Sequence, residues 1–138
     1  MSMRTFTPDG TLKAAEKLLP YVADLGFEYV YILPVCEADR DYDLDTWSPD
    51  WRNGVIKNPA NPYKHIDYYN VDSEYGTNED FKDICDKLHD NGIKVVLDGV
   101  FNHVGRGFYQ FQDVIKNREN SPYLSWFNIN LGGNSGYN

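Results

Sequence analysis

The stretch Lys94 to Gly107, KVVLDGVFNHVGRG, begins as a buried strand and ends in polar chemistry. Its first four residues are apolar or bury an aliphatic stem. Asp98 follows directly, then Asn102 and His103. In parallel α/β folds ligands gather at the carboxyl ends of the strands, and all three polar residues fall at that end. Position alone leaves two readings open. Asp98 can cap backbone amides while His103 packs under the loop, or the two can belong to a site.

Working outward, the periodicity alternates helix and strand. On the N-terminal side of this strand, GTNEDFKDICDKLHDNG reads as a helix. Thr77 caps it, Asp80 stands three residues on in capping-box position, and Asn91-Gly92 ends it. Cys85 shares that helix's apolar face with Phe81, Ile84 and Leu88, which predicts a buried free thiol. Cys36 and Cys85 are too few for a disulfide framework.

From Thr11 to Leu25 the positions Leu12, Ala15, Leu19, Val22 and Leu25 keep helical spacing. Asp9 or Thr11 can cap this helix, Gly26 can stop it, and Pro20 is expected to kink it. EYVYIL, Glu28 to Leu33, reads as a strand covered on both faces and closed by Pro34.

Between the two units, Pro34 to Gly76 holds two of the three tryptophans and several tyrosines. So long a connection inside a compact domain, with this aromatic content, is expected to be an ordered functional loop. Helix, strand, long loop, helix, strand predicts an α/β fold with a parallel sheet. The tail after Gly99 predicts one short helix around Phe111 to Ile115 and no third unit of this kind.

With 138 residues, 41% of them hydrophobic, the chain is long enough for one core. A formal charge of -8 opposes nucleic acid and anionic membrane surfaces as partners. No apolar run approaches the ~20 residues of a membrane helix. MSMRTFTPDG has no apolar signal-peptide core, so a cytoplasmic setting is expected over export.

DGVFNH is similar to the pattern Asp-x-Val-x-Asn-His on the third barrel strand of the alpha-amylase family of glycoside hydrolases. The likeness is continuous through NPYKHIDYYNVDSEYGTNEDFKDICDKLHDNGIKVVLDGVFNH. RGFYQFQDVIKNRENSPYLSWF resembles the start of the small domain inserted after that strand, closest to the neopullulanase and cyclomaltodextrinase branch. TPDGTLKAAEKLLPYVADLGFEYVYILPV resembles the first helix and second strand.

The resemblance implies a partial (β/α)8 TIM barrel over residues 1–103, running from the end of strand 1 at Met3 to Phe6 through strand 3. Residues 104–138 would begin the inserted domain. It implies a retaining hydrolase acting on α-glucosidic bonds of starch-like oligosaccharides. The alternatives are an α-1,6-specific or transglycosylating member, or a non-catalytic carbohydrate-binding or assembly protein derived from the fold.

Carried over residue by residue, His103 resembles the histidine that bonds the sugar at the cleavage subsite, and Tyr63 the tyrosine that stacks on it. Asn102 resembles an amide ligand to a structural calcium ion, and Asp98 the aspartate that supports the polar network. Trp47 and Trp51 are expected to form a sugar-stacking wall at the cleft's edge, with anchoring of the loop as the alternative, and Trp126 is expected to be core. Asp39, Asp41, Asp43, Asp45 and Asp50 read as a solvated or cation-binding run rather than a catalytic pair.

In the family the catalytic carboxyl groups come from later strands, so none is assigned here. The chain is expected to be part of a larger enzyme and inactive alone. Its partners are expected to be an α-glucan or maltooligosaccharide, and further copies of itself through its unclosed sheet.

Overall fold

The structure, a computed structural model, describes residues 1–40 and 60–132. Trp47, Trp51, Asp41, Asp43, Asp45 and Asp50 lie outside them. The described elements are α1 (Met3–Phe6), α2 (Leu12–Glu16), α3 (Leu19–Asp24), β1 (Tyr29–Ile32), α4 (Asn78–Asp90), β2 (Lys94–Leu97) and α5 (Tyr109–Asn117). Two short 3-10 turns, Arg118–Asn120 and Leu124–Trp126, follow.

β1 and β2 pair in parallel, Tyr29 opposite Lys94 and Ile32 opposite Leu97. The ladder continues past both ends. Lys94 N–H donates to the Glu28 carbonyl and Asp98 N–H to the Ile32 carbonyl, each at 2.9 Å. Since side chains alternate along a strand, Val30 and Ile32 point one way and Tyr29 and Tyr31 the other.

The first face is covered. Val30 and Ile32 join Leu12 and Ala15 of α2, Leu19 and Val22 of α3, and Ile84 and Leu88 of α4 in one apolar core. The opposite face carries exposed Tyr29, Tyr31 and Val96. Cover on both faces, expected from the apolar run, is therefore corrected for the described residues: their helices form a single layer.

The first predicted helix is broken rather than kinked. Thr11 Oγ1 accepts the Ala14 N–H at 3.2 Å to start α2, and Pro20 sits in the first turn of α3. A proline there lacks only an N–H that would have no intrahelical partner, so the chain restarts the helix around it. Gly26 follows α3, as expected, and Leu25 is exposed rather than on the core face.

Met3 to Phe6 is helical, which corrects the expected strand end. The Ser2 carbonyl accepts from Thr5 N–H at 3.2 Å and Phe6 N–H at 2.9 Å. The turn sends Met3 into the core, while Arg4 bonds the Ala60 carbonyl at 2.5 Å. Within this N-terminal segment Met1 alone lies along β1 in the parallel manner, its amine on the Tyr31 carbonyl and its carbonyl accepting Leu33 N–H at 3.0 Å.

α4 starts with the reciprocal cap read from the sequence: Asp80 N–H to Thr77 Oγ1 at 3.1 Å and Thr77 N–H to Asp80 Oδ2 at 2.9 Å. α5 is longer than expected and buries Val114. Trp126, expected in the core, is instead 61% exposed, whereas Val114 is fully buried. Both cysteines are free and half-buried. No helix among the described residues is long and apolar enough to cross a membrane.

Candidate functional site

Asp98 is the first residue beyond β2, on the same face as Val96 and, across the register, Tyr31. The Tyr63 hydroxyl donates to Asp98 Oδ2 at 2.9 Å. His103 Nε2 lies 2.8 Å from the Tyr63 carbonyl. A carbonyl only accepts, so Nε2 carries the proton, and in the neutral ring Nδ1 remains an acceptor.

Tyr31 completes the cluster. The hydrogen bond to Asp98, then loss of hydration and the carboxylate's charge, push its phenol up to about 12. The same carboxylate holds the Tyr63 phenol above its ordinary value, again chiefly through the hydrogen bond. Asp98 thus accepts from the Tyr63 phenol, with Tyr31 on the same face, a supporting geometry for a carboxylate.

Two loops meet to hold these groups. The Tyr68 hydroxyl donates to the Val100 carbonyl at 2.6 Å, with the His103 carbonyl 3.2 Å away. Its ring packs edge-on against His65 and Phe108 and stacks on Phe101. Gly105 N–H donates to the His65 carbonyl at 2.7 Å. A Cβ on Gly105 would fall 2.7 Å from Asp39 Cβ and 2.9 Å from the Lys64 carbonyl, so only glycine lets the loops approach this closely.

Asp39 differs from the solvated run expected of it. It is buried and accepts the Gly107 N–H at 2.8 Å, fastening the loop after β2. Its neighbour Arg40 binds buried Asp72 at 2.6 Å, Glu37 at 3.0 Å and Glu74 at 3.3 Å. Asp72 also accepts Ala38 N–H at 3.1 Å and Glu74 N–H at 2.9 Å, so the far end of the long connection is tied down by charge and backbone together.

Of the residues singled out in the sequence, Tyr63, Asp98 and His103 come together. Asn102 is exposed beside them and, with His103, lines a cavity of about 390 Å³. Among the described residues no three His, Cys, Asp or Glu side chains gather as a metal cluster, and no carboxylate lines that cavity. Tyr31 and Tyr68 were not singled out. The signal for Tyr31 was the alternation in EYVYIL, which places it on the Asp98 face. Tyr68 carries no comparable mark.

The pattern of the family described as alpha amylase, catalytic domain, matches residues 4–136. A cyclomaltodextrinase of Thermoanaerobacter pseudethanolicus is 36% identical over 87% of this chain and 18% of its own length. An intracellular maltogenic amylase of Bacillus subtilis is 32% identical over 87% of this chain and 17% of its own. The chain thus spans less than a fifth of these relatives. Among solved structures, a debranching enzyme of Nostoc punctiforme soaked with acarbose matches with TM-score 0.70 and 37% identity, over 94% of this chain and 24% of that one. A parallel strand pair whose carboxyl end gathers Tyr63, Asp98 and His103, matched in sequence and backbone over nearly all its length, belongs to the alpha-amylase family of glycoside hydrolases.

Proposed function

We propose that the chain forms one wall of the sugar cleft of a retaining glycoside hydrolase acting on α-glucosidic bonds of starch-like oligosaccharides. In this reading β1 and β2 are the second and third strands of a (β/α)8 barrel within residues 1–103, and residues 104–138 begin the inserted domain.

The observation that carries it is the bonded set Tyr63, Asp98 and His103 at the carboxyl end of a parallel pair. The partly exposed Tyr63 ring offers a face to the C–H side of a pyranose, His103 offers a ring nitrogen to a hydroxyl, and Asp98 fixes the tyrosine. Retaining hydrolysis needs two carboxyl groups about 5 to 5.5 Å apart. No residue here is assigned that part, so the chain alone is expected not to turn over starch, maltooligosaccharides or cyclodextrins. Turnover by the purified chain would count against this.

Calcium enters the proposal through Asn102. The described residues do not themselves complete a cage of six to eight oxygens: Asn102 supplies one amide oxygen, and the cavity it lines holds no carboxylate among the described residues. Calcium titration read at the Asn102 side-chain amide tests this. A cytoplasmic setting is part of the proposal, supported by the intracellular relative. The likeness to a debranching enzyme favours, as a second reading, a preference for α-1,6 bonds.

NMR titration with maltose tests the cleft. Shifts with a millimolar midpoint are expected at Tyr63, Asp98 and His103 and are lost in Tyr63→Ala and His103→Ala. Tight binding that survives both substitutions places the sugar site elsewhere.

A further inference from the structure

The Trp126 indole is exposed in front and braced behind. Its ring meets Tyr123 edge-on with centroids 5.3 Å apart, and the Trp126 backbone N–H donates to the Tyr123 carbonyl at 2.9 Å. Tyr123 meets Tyr109 in the same manner at 6.1 Å. The indole walls the cavity of about 390 Å³ on the His103 side. Phe111 and Phe127, edge to face at 5.4 Å, supply its other apolar walls, and Arg106 and Asn128 supply polar lining.

A concave, mainly apolar space with a few placed polar groups has the composition of a small-ligand site. Its described lining holds no carboxylate to draw a cation, and a chain of formal charge -8 does not favour an anion. What fits is a neutral, polyhydroxylated ligand with one apolar face: a pyranose whose C–H side lies on the indole while its hydroxyls meet amide and guanidinium groups.

His103 lines this cavity and also bonds the Tyr63 carbonyl, so the two spaces share a wall. We infer that the Trp126 cavity is a second sugar subsite, receiving further glucosyl units of the same oligosaccharide that Tyr63 and His103 hold. This rests on the sugar cleft proposed above.

The test compares maltose with maltopentaose, titrated into the isotope-labelled chain. Both sugars should move Tyr63 and His103, whereas the Trp126 Nε1–H resonance should move with maltopentaose alone. Maltopentaose should bind about tenfold more tightly than maltose, the scale of one aromatic contact. Trp126→Ala should abolish that gain and Trp126→Phe retain part of it, with the thermal transition showing that both variants fold. Shifts at Tyr63 and His103 with Trp126 silent, or a gain that survives in Trp126→Ala, would overturn the subsite and leave the cleft standing. A Trp126 response with Tyr63 and His103 silent would overturn the continuity and the cleft with it, and no response to either sugar would sink both.

Discussion

Tyr31 is the residue whose protonation reports on the site. Its folded pKa, pushed up to about 12, lies above the ordinary phenol value near 10. The neutral form is therefore favoured by folding. The contribution is fully present below pH ~10 and is lost as pH rises through the folded value. Ultraviolet titration of the phenols should show Tyr31 ionising late, and Asp98→Asn should bring it back toward the ordinary range. An unchanged titration in Asp98→Asn would remove Asp98 as the cause.

His65 acts at the other end of the scale. It is buried, its Nδ1 has no partner among the described residues, and burial pushes its imidazole below the usual value against the pull of the Cys36 carbonyl. His103 adds a smaller push in the same direction, and Asp98 a smaller opposing one. The unfolded chain then binds a proton that the folded chain refuses. Stability is present above the unfolded pKa of ~6.5 and falls as pH drops toward the folded value. Urea unfolding should show this loss as pH falls below about 6.5. His65→Phe should flatten that limb while lowering stability throughout, and an identical limb in the variant would exclude His65. Asp98 and His103 were legible because they follow a strand within a few residues. His65 and Tyr68 were not, since neither residue type nor spacing shows where a loop folds back.

At the scale of elements, local chemistry was the most legible layer. Thr77, Asp80 and Gly92 each state a backbone requirement within a few residues. The reciprocal cap is present, and Gly92 adopts φ +73° just after the helix. Thr77→Ala should cost about 1 kcal/mol in chemical denaturation. Leu88→Ala, in the fully buried stripe, should cost about 2 to 5 kcal/mol. Equal losses at the two positions would mean that α4 is not held mainly by its packed face. Where the reading failed, tertiary context decided. Four residues after Met1 coil because Met3 fills the core and Arg4 finds the Ala60 carbonyl, neither of which is a near neighbour in sequence. Trp126 read as core by residue type alone, whereas the fold leaves it exposed and buries Val114.

At the scale of the whole molecule, one face of a two-stranded sheet is left with nothing against it among the described residues. Tyr29, Tyr31 and Val96 are exposed on that face, and Tyr21, Leu25 and Phe27 continue an apolar groove along the β1 edge. Parallel strands are normally covered on both faces and paired on both edges. Exposed apolar area of this kind favours association, and a second copy offers the same strand face and the same edge groups in return. The isolated chain should therefore self-associate. Its thermal transition should rise with protein concentration, because assembly stabilises only the folded form. Val96 lies at the centre of the bare face, opposite Tyr31 in the register. A lysine there would place a charge in any interface built on that face while leaving the helix-covered side untouched. Val96→Lys is expected to shift sedimentation toward the monomer and to lower the transition temperature by abolishing its concentration dependence. A wild-type chain that sediments as a cooperative monomer at micromolar concentration, with a transition indifferent to dilution, would show that the two strands and one helical layer suffice alone.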